Sequence, residues 1–414
     1  MKNTKPKARG KPAAARPARV GQEETGGGEQ VRETPPRAAR GPAADRLRVW
    51  ARGLDWSVIK LVLAAKFLII VLGGVAFEVW QNKPLEPSLG WLKVWNRWDA
   101  VQYQSLAQNG YQAAGDARFL IVFFPLYPLL TRLVAFVARD YILSAFIVSG
   151  VASVAAVVLL KRLTELDETE TLARRAAWFL VIFPTSYFLH VGYTESLFLA
   201  LVLGCLLAGR GGRWHLAGAL SVLAALCRVN GLILCPVLLV EAWQEYRAAR
   251  RWRWQWAWAA GALVGFAGYL WLNYHVTGQA FTFMTYQREH WYRNLAPPWA
   301  GLRSAFNGMW GAPENAHMVG FEEFFFALLG LGATVASARL LRLSYTVWMA
   351  LNWLLFTSTS FMLSVPRYTL TLFPVFILFA RLSRRPFWYE ALTIWSLLFL
   401  ALFAGLFANG HWAF

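Results

Sequence analysis

The sequence predicts an all-α protein that crosses a membrane many times. Two observations carry this reading. Of 414 residues, 57% are hydrophobic and only 15% are charged, against roughly 45–50% and about 25% in soluble domains. The apolar residues are also gathered into blocks, among them Val58–Val79, Tyr141–Leu160, Ala176–Leu189, Gly192–Ala208 and Phe387–Phe407. About 20 mostly apolar residues suffice to cross a bilayer as a helix, and several blocks approach or reach that length.

The net charge of +18 suggests nucleic acid until its location is considered. Residues 1–48 hold twelve Lys/Arg against five acids and are rich in Ala, Pro and Gly. Too little apolar surface is available there to offset the entropy of ordering, so this segment is expected to be a disordered basic cytoplasmic tail. About fifty residues precede the first apolar block, which is not the pattern of a signal peptide. The transmembrane domain is expected over 49–414. Cys205, Cys227 and Cys235 lie in or beside apolar blocks without metal-ligand spacing and read as small buried hydrophobes.

Charge asymmetry orients the chain. Five short connections (161–175, 209–213, 243–253, 339–342, 381–385) carry fifteen Lys/Arg, whereas two long ones (81–118 and 277–320) carry seven. Positively charged short loops stay in the cytoplasm, which puts both long loops outside. Parity then argues against a full span over 119–138. That stretch holds Pro125, Pro128 and Arg132, with Arg139 just beyond it, and Leu126–Arg139 is expected to be an amphipathic helix at the outer interface. The outcome is about eleven spans, outward loops at 81–140 and 277–320, a cytoplasmic N-terminus and an outward C-terminus. Trp91, Trp95, Trp98, Trp291, Trp299 and Trp310 fit an aromatic belt at that face.

Ionisable groups beside apolar blocks are the informative residues in such a chain, because each costs several kcal/mol unless paired or wetted. In Trp95-Asn96-Arg97-Trp98-Asp99-Ala100, Asp99 reads as the cap of a short helix, with Gln102 completing a capping box, or as a carboxylate base held beside the bilayer, and the two are compatible because capping fixes a carboxylate's orientation. Phe123-Phe124-Pro125-Leu126-Tyr127-Pro128 reads as a proline-broken turn. Phe183-Pro184-Thr185-Ser186-Tyr187-Phe188 precedes Tyr193-Thr194-Glu195-Ser196, and Glu195 at a helix start is either a dipole partner or a site acid. His190, between the two helices, reads as structural. Arg228-Val229-Asn230-Gly231 and Ser364-Val365-Pro366-Arg367-Tyr368 each put an arginine at an outward turn. Two guanidinium forks on the same face as an acid suit a lipid phosphate.

Taken in order, these motifs resemble those of the GPI mannosyltransferase II family and its prokaryotic relatives. The series runs Trp98-Asp99-Ala100 with Tyr103 and Gly110-Tyr111, Phe-Phe-Pro-Leu-Tyr-Pro at 123–128, Phe183-Pro184-Thr185, Tyr193-Thr194-Glu195-Ser196, Arg228 with Asn230-Gly231, and Pro366-Arg367-Tyr368. It covers about 55–385. The resemblance implies a GT-C-type fold and an inverting transferase that moves a sugar, mannose by analogy, from a polyprenyl-phosphate carrier to a glycolipid or other acceptor outside the cytosol. It makes Asp99 the general base, Glu195 a second site acid, and Arg367 and Arg228 the ligands of the carrier phosphate. Trp98, Gln102, Tyr103, Tyr193, Asn230 and Tyr368 fall among the substrate contacts. Relatives often carry His where this chain has Gln102, and the Arg228 turn matches more loosely than the rest.

No cofactor and no metal-ligand cluster are expected, with a divalent metal left as the alternative. Tyr286, His290, Trp291, Tyr292 and Trp299 offer an aromatic wall for a sugar acceptor or an interfacial belt. Composition points to a bacterial inner membrane. The rival readings are a lipid-linked-sugar flippase and a scaffold acting through the basic tail.

Overall fold

The computed structural model describes residues 55–312 and 316–413; the expected tail at 1–48 lies outside them. The first helix, α1 (Trp56–Gln81), begins where the Asp55 carboxylate accepts the Val58 N–H at 3.3 Å, and it ends at Asn82, whose φ of 47° turns the chain out of the helix. The first long loop holds α2 (Asp99–Asn109). A 3₁₀ segment, Asp116–Val122, then meets α3 (Leu126–Ala138) at a bend of 111°. Asp140 caps α4 (Tyr141–Glu165) by accepting the Leu143 N–H at 2.7 Å. Helix α5 (Glu170–Ile182) stops at Phe183-Pro184, as a proline without an N–H requires.

After a 3₁₀ turn comes α6 (Glu195–Arg210), then α7 (Trp214–Cys227), a second 3₁₀ turn at Val229–Ile233, α8 (Leu234–Ala249) and α9 (Gly261–Thr277). The second long loop carries α10 (Thr282–Glu289) and α11 (Pro298–Gly308). The chain closes with α12 (Glu322–Leu340), α13 (Leu343–Thr357), the one-turn α14 (Val365–Thr369), α15 (Pro374–Leu382) and α16 (Pro386–Ala408). The protein is an all-α, multi-pass membrane protein.

Four helices are long and apolar enough to span a bilayer alone: Trp56–Gln81, Tyr141–Glu165, His317–Leu340 and Pro386–Ala408, or five if the bent pair through α3 counts as one. The expected eleven is not reached by this criterion. The physical reason is helix length: Glu170–Ile182, Glu195–Arg210, Trp214–Cys227, Leu234–Ala249, Gly261–Thr277 and Leu343–Thr357 run only 13 to 17 residues each. Outward-facing side chains match a lipid surroundings, with Phe67, Val151, Val264 and Leu398 each at least 65% exposed. Helix α3 is amphipathic as expected: Tyr127, Thr131 and Ala135 are buried while Phe136 and Val137 are 74% and 86% exposed.

The five short basic connections converge at one end of the bundle. Arg210 reaches Asp167 at 2.7 Å, and Arg381 and Arg384 both pair with Glu168. Arg381 also donates to the Leu340 carbonyl, and Arg342 pairs with Glu241 at 2.8 Å, at the border of the 243–253 connection. Acids in the same loops thus hold the basic residues together, fixing one polar end. Cys205 and Cys227 are buried and Cys235 is half-buried; all three are free thiols.

Candidate active site

Glu195 stands at the end of α6 opposite Arg210, roughly 22 Å away at 1.5 Å per residue. Its surroundings belong to the other polar end. Glu195 Oε1 accepts from Arg228 Nη1 at 2.5 Å and lies 3.1 Å from Arg367 Nε. Arg367 Nη1 in turn donates to Asp99 Oδ2 at 2.8 Å. Asp99, Arg367, Glu195 and Arg228 therefore form one continuous chain of ion pairs, drawn from the first residue of α2, α14, the start of α6 and the residue that follows α7. Burial is graded along it: the side chains of Glu195 and Arg367 are 1% and 7% exposed, and that of Asp99 is 25% exposed.

Local structure explains why these groups point inward. Asp99 does not cap α2, contrary to the capping-box expectation. The cap position belongs to Trp98, with φ 53° and no side-chain cap bond, and the helix opens instead with the Ala100 and Val101 N–H groups on the carbonyls of Arg97 and Trp98. The Asp99 carboxylate is thereby left for Arg367, and its Oδ1 makes no hydrogen bond among the described residues. Glu195 likewise does no capping; it gives Oε1 to two arginines, and its buried Oε2 has no partner among the described residues.

Each motif has an identifiable mechanical task. Thr185 Oγ1 donates to the Pro366 carbonyl at 3.0 Å, joining Phe-Pro-Thr to Pro-Arg-Tyr. Tyr193 donates to the Arg97 carbonyl at 2.9 Å, and the Arg97 guanidinium donates to the Ala408 carbonyl at 2.7 Å. Tyr127 bonds the Ala145 carbonyl and Ser149, while Phe124 stacks on Tyr269 at 3.9 Å between centroids. Thr194 Oγ1 accepts a second bond from Arg228 at 3.0 Å. Gly231 is needed because a Cβ there would meet the Ala225 nitrogen at 2.3 Å, so only glycine lets the turn close against the last turn of α7. His190 is fully buried in the connection between α5 and α6.

The residues expected to contact substrate divide into two groups. Tyr193 and Tyr368 line the ion-pair chain: the Arg367 guanidinium carbon is 5.4 Å from the Tyr193 ring and 5.3 Å from the Tyr368 ring. Tyr103 packs edge-on to Tyr193, and Trp98, 41% exposed, stands edge-on to Trp412. Asn230 is turned away, donating to Asn352 at 2.7 Å. Gln102 is half-buried on α2 and makes no hydrogen bond among the described residues. Of the expected aromatic wall, His290 stacks on Phe119 at 4.0 Å and Tyr286 and Trp291 meet Phe119 and Phe123 edge-on, whereas Tyr292 and Trp299 are each 71% exposed.

Sequence reading missed two residues. Glu323, fully buried at the start of α12, accepts the Ser364 and Val365 N–H groups and so anchors the turn that carries Arg367. Arg293, from the second long loop, donates to the Tyr368 hydroxyl at 3.1 Å. Tyr368 lies in the one-turn α14, between α13 and α15. Burial alone raises its phenol, but the fields of Arg293, Arg367 and Arg228, with the bond from Arg293, bring it below the usual value. The acid in Glu322-Glu323 was visible as a charge opening an apolar helix; Arg293 carried no local signal. No group of three or more His, Cys, Asp or Glu among the described residues could hold a metal ion.

No protein-family model matches the chain. Two curated proteins are similar to it. GPI mannosyltransferase 2 of Yarrowia lipolytica is 32% identical over 139 residues, 33% of this chain and 39% of that protein. GPI mannosyltransferase 2 of Schizosaccharomyces pombe is 31% identical over 147 residues, 34% of this chain and 30% of that protein. The chain thus matches less than two fifths of the length of these relatives. Among solved structures, the oligosaccharyltransferase of Archaeoglobus fulgidus with Zn and sulfate aligns over 84% of this chain and 53% of its own, at 14% identity and a TM-score of 0.46. The complex of that archaeal enzyme, AglB, with an inhibitory peptide and a dolichol-phosphate gives 11% identity, 87% and 56% coverage and a TM-score of 0.44. Likenesses at that level decide neither fold nor function. Over about a third of its length the chain is similar in sequence to the GPI mannosyltransferase 2 proteins, which bears out the family resemblance its motifs carry.

Proposed function

We propose that the chain is an inverting membrane glycosyltransferase. It transfers a sugar, mannose in the reading the relatives favour, from a polyprenyl-phosphate carrier to a glycolipid or other acceptor on the extracytoplasmic face of a bacterial inner membrane. The observation that carries this reading is Asp99, a quarter exposed, at the open end of a buried Arg367–Glu195–Arg228 chain.

In this mechanism Arg367 holds one oxygen of Asp99 and so aims the other. Oδ1 accepts the proton of the acceptor hydroxyl as that oxygen attacks the anomeric carbon from the face opposite the phosphate. The sugar–phosphate C–O bond breaks, its electron pair leaves on the carrier phosphate, and one displacement gives one inversion. Guanidinium groups at the site stabilise the charge growing on that phosphate. The reading calls for no cofactor, because a phosphate ester is already a good leaving group. Glu195 keeps Arg228 and Arg367 together despite their like charge.

The test is transfer by purified, reconstituted protein from a labelled polyprenyl-phosphate mannose to a mannosyl glycolipid. Asp99→Asn removes the proton acceptor while preserving size and is expected to lower turnover by about 10²–10⁴-fold. Full turnover in Asp99→Asn removes that residue from the role of base, and absence of transfer with every lipid-linked sugar tried sinks the reading.

A further inference from the structure

Three guanidinium groups surround the Tyr368 ring: those of Arg367, Arg228 and Arg293 lie 5.3, 5.5 and 5.9 Å from its centroid. They differ in what holds them. Arg367 and Arg228 are both paired with carboxylates. Arg293 is held by neutral acceptors, the Tyr368 hydroxyl at 3.1 Å and the Leu363 carbonyl at 3.4 Å, and no carboxylate among the described residues lies within 4 Å of it. Glu323 shares the field of Arg293, but both of its oxygens are taken up by the Ser364 and Val365 N–H groups. A half-buried cation beside two others, itself bound only through neutral oxygens, is a place that favours an added anion.

Its placement is fixed by the backbone on its C-terminal side. The Ser360 N–H donates to the Asn294 carbonyl at 2.9 Å, the Ala296 N–H donates to the Ser358 carbonyl at 3.2 Å, and Leu295 pairs with Thr359 in an antiparallel bridge. The loop bearing Arg293 is therefore sewn to the segment that leads into α14, the helix of Arg367 and Tyr368. An arginine delivered this way is a built part of the site rather than a surface charge that happens to fold over it.

We propose that Arg293, with the Tyr368 hydroxyl and the outer edge of Arg228, forms the binding site for a phosphate monoanion or diester carried on a lipid. This rests on the functional reading above and deepens it: the loop arginine is the primary ligand of the donor phosphate, and Arg367 is the residue that orients Asp99. The guanidinium fork matches two phosphate oxygens, and the Tyr368 hydroxyl, accepting from Arg293, is left to donate its own proton to a third.

The test is equilibrium binding to the full-length protein in detergent, with farnesyl phosphate, farnesol and inorganic phosphate as separate probes. Arg293→Ala is expected to weaken farnesyl phosphate binding at least about tenfold, with partial recovery in Arg293→Lys, since a single ammonium supplies charge without the fork. Farnesol binding is expected to be the same in all proteins, and Arg303→Ala, an exposed arginine of the same loop, is expected to bind like the parent. If Arg293→Ala fails to fold, Arg293→Gln keeps donors toward Tyr368 and Leu363 while removing the charge. Equal farnesyl phosphate affinity in the parent and in Arg293→Gln overturns the proposal, as does inorganic phosphate binding as tightly as farnesyl phosphate. Sugar transfer measured in parallel separates the two readings: transfer with donor affinity indifferent to Arg293 defeats only this inference, whereas Arg293-dependent binding without transfer of any sugar defeats only the enzymatic one.

Discussion

The Glu323 carboxylate receives the backbone N–H of Val365 at 2.8 Å, and through that contact α12 sets the position of Arg367 two residues later. Its other oxygen accepts the Ser364 N–H, at a residue whose φ of 71° puts it in the left-handed region. The pair of bonds holds a strained turn in the one orientation that lets the guanidinium reach both Asp99 and Glu195.

Glu323→Ala is therefore expected to cost about 1–3 kcal/mol for each buried N–H left unsatisfied and to lower turnover through misplacement of Arg367. Glu323→Gln retains one acceptor and should fall between Ala and the parent. Thermal unfolding in detergent and transfer rates on the same samples check this. Parent-like values for both in the Ala variant would contradict it.

Arg228 and Glu195 form a buried pair, with side chains 13% and 1% exposed. Removing Arg228 takes the shorter of two arginine contacts from a buried carboxylate that keeps Arg367 at 3.1 Å, so Arg228→Ala should destabilise by less than the about 3–5 kcal/mol of a charge left with no partner. Adding Glu195→Gln to that variant should recover much of the stability while activity stays lost. A double-mutant cycle on unfolding free energies reads the coupling; additivity of the two changes would mean the pair is not formed.

Gly231→Ala is expected to shift the Arg228 turn, because the added methyl meets the Ala225 nitrogen at 2.3 Å and the Ala224 carbonyl carbon at 2.4 Å. Overpacking of this kind costs roughly 1–3 kcal/mol, and the atoms in the way are backbone, which cannot swing aside. A lower unfolding temperature with reduced turnover is the expected result, and an unchanged protein would show that the turn has room.

Orientation has its own test. Tyr292, 71% exposed, lies in the second long loop beside Arg293, and Arg384, 62% exposed on its side chain, lies in the basic cluster. Tyr292→Cys should react with a membrane-impermeant maleimide in intact cells, and Arg384→Cys only after permeabilisation. The reverse pattern would put the acids and arginines of the site in the cytosol.

Much of this protein is legible in its sequence. Asp99, Glu195, Arg228 and Arg367 stand out because an ionisable group beside an apolar block needs a reason to be there, and the structure joins all four. The capping-box account of Asp99 failed because the choice of cap depends on where the backbone enters the helix, and Trp98 at φ 53° makes that entry. The expected count of spans is not confirmed, because several apolar blocks fold into helices of 13 to 17 residues, which are too short to be read as spans on length alone. Asn230 is the right residue in an unexpected role, bound to Asn352 across 122 residues of sequence.

Composition and the cost of burying charge are enough to give the class of the protein, its two kinds of loop and the chemical types at the site. Who pairs with whom is set by the folded chain. The Asp99–Arg367 contact spans 268 positions, and Glu323 and Arg293 enter from a helix and a loop whose local sequence gives no reason for them to meet. Partners of that kind are chosen by packing, which brings distant segments within a few ångströms and which no short window of residues records.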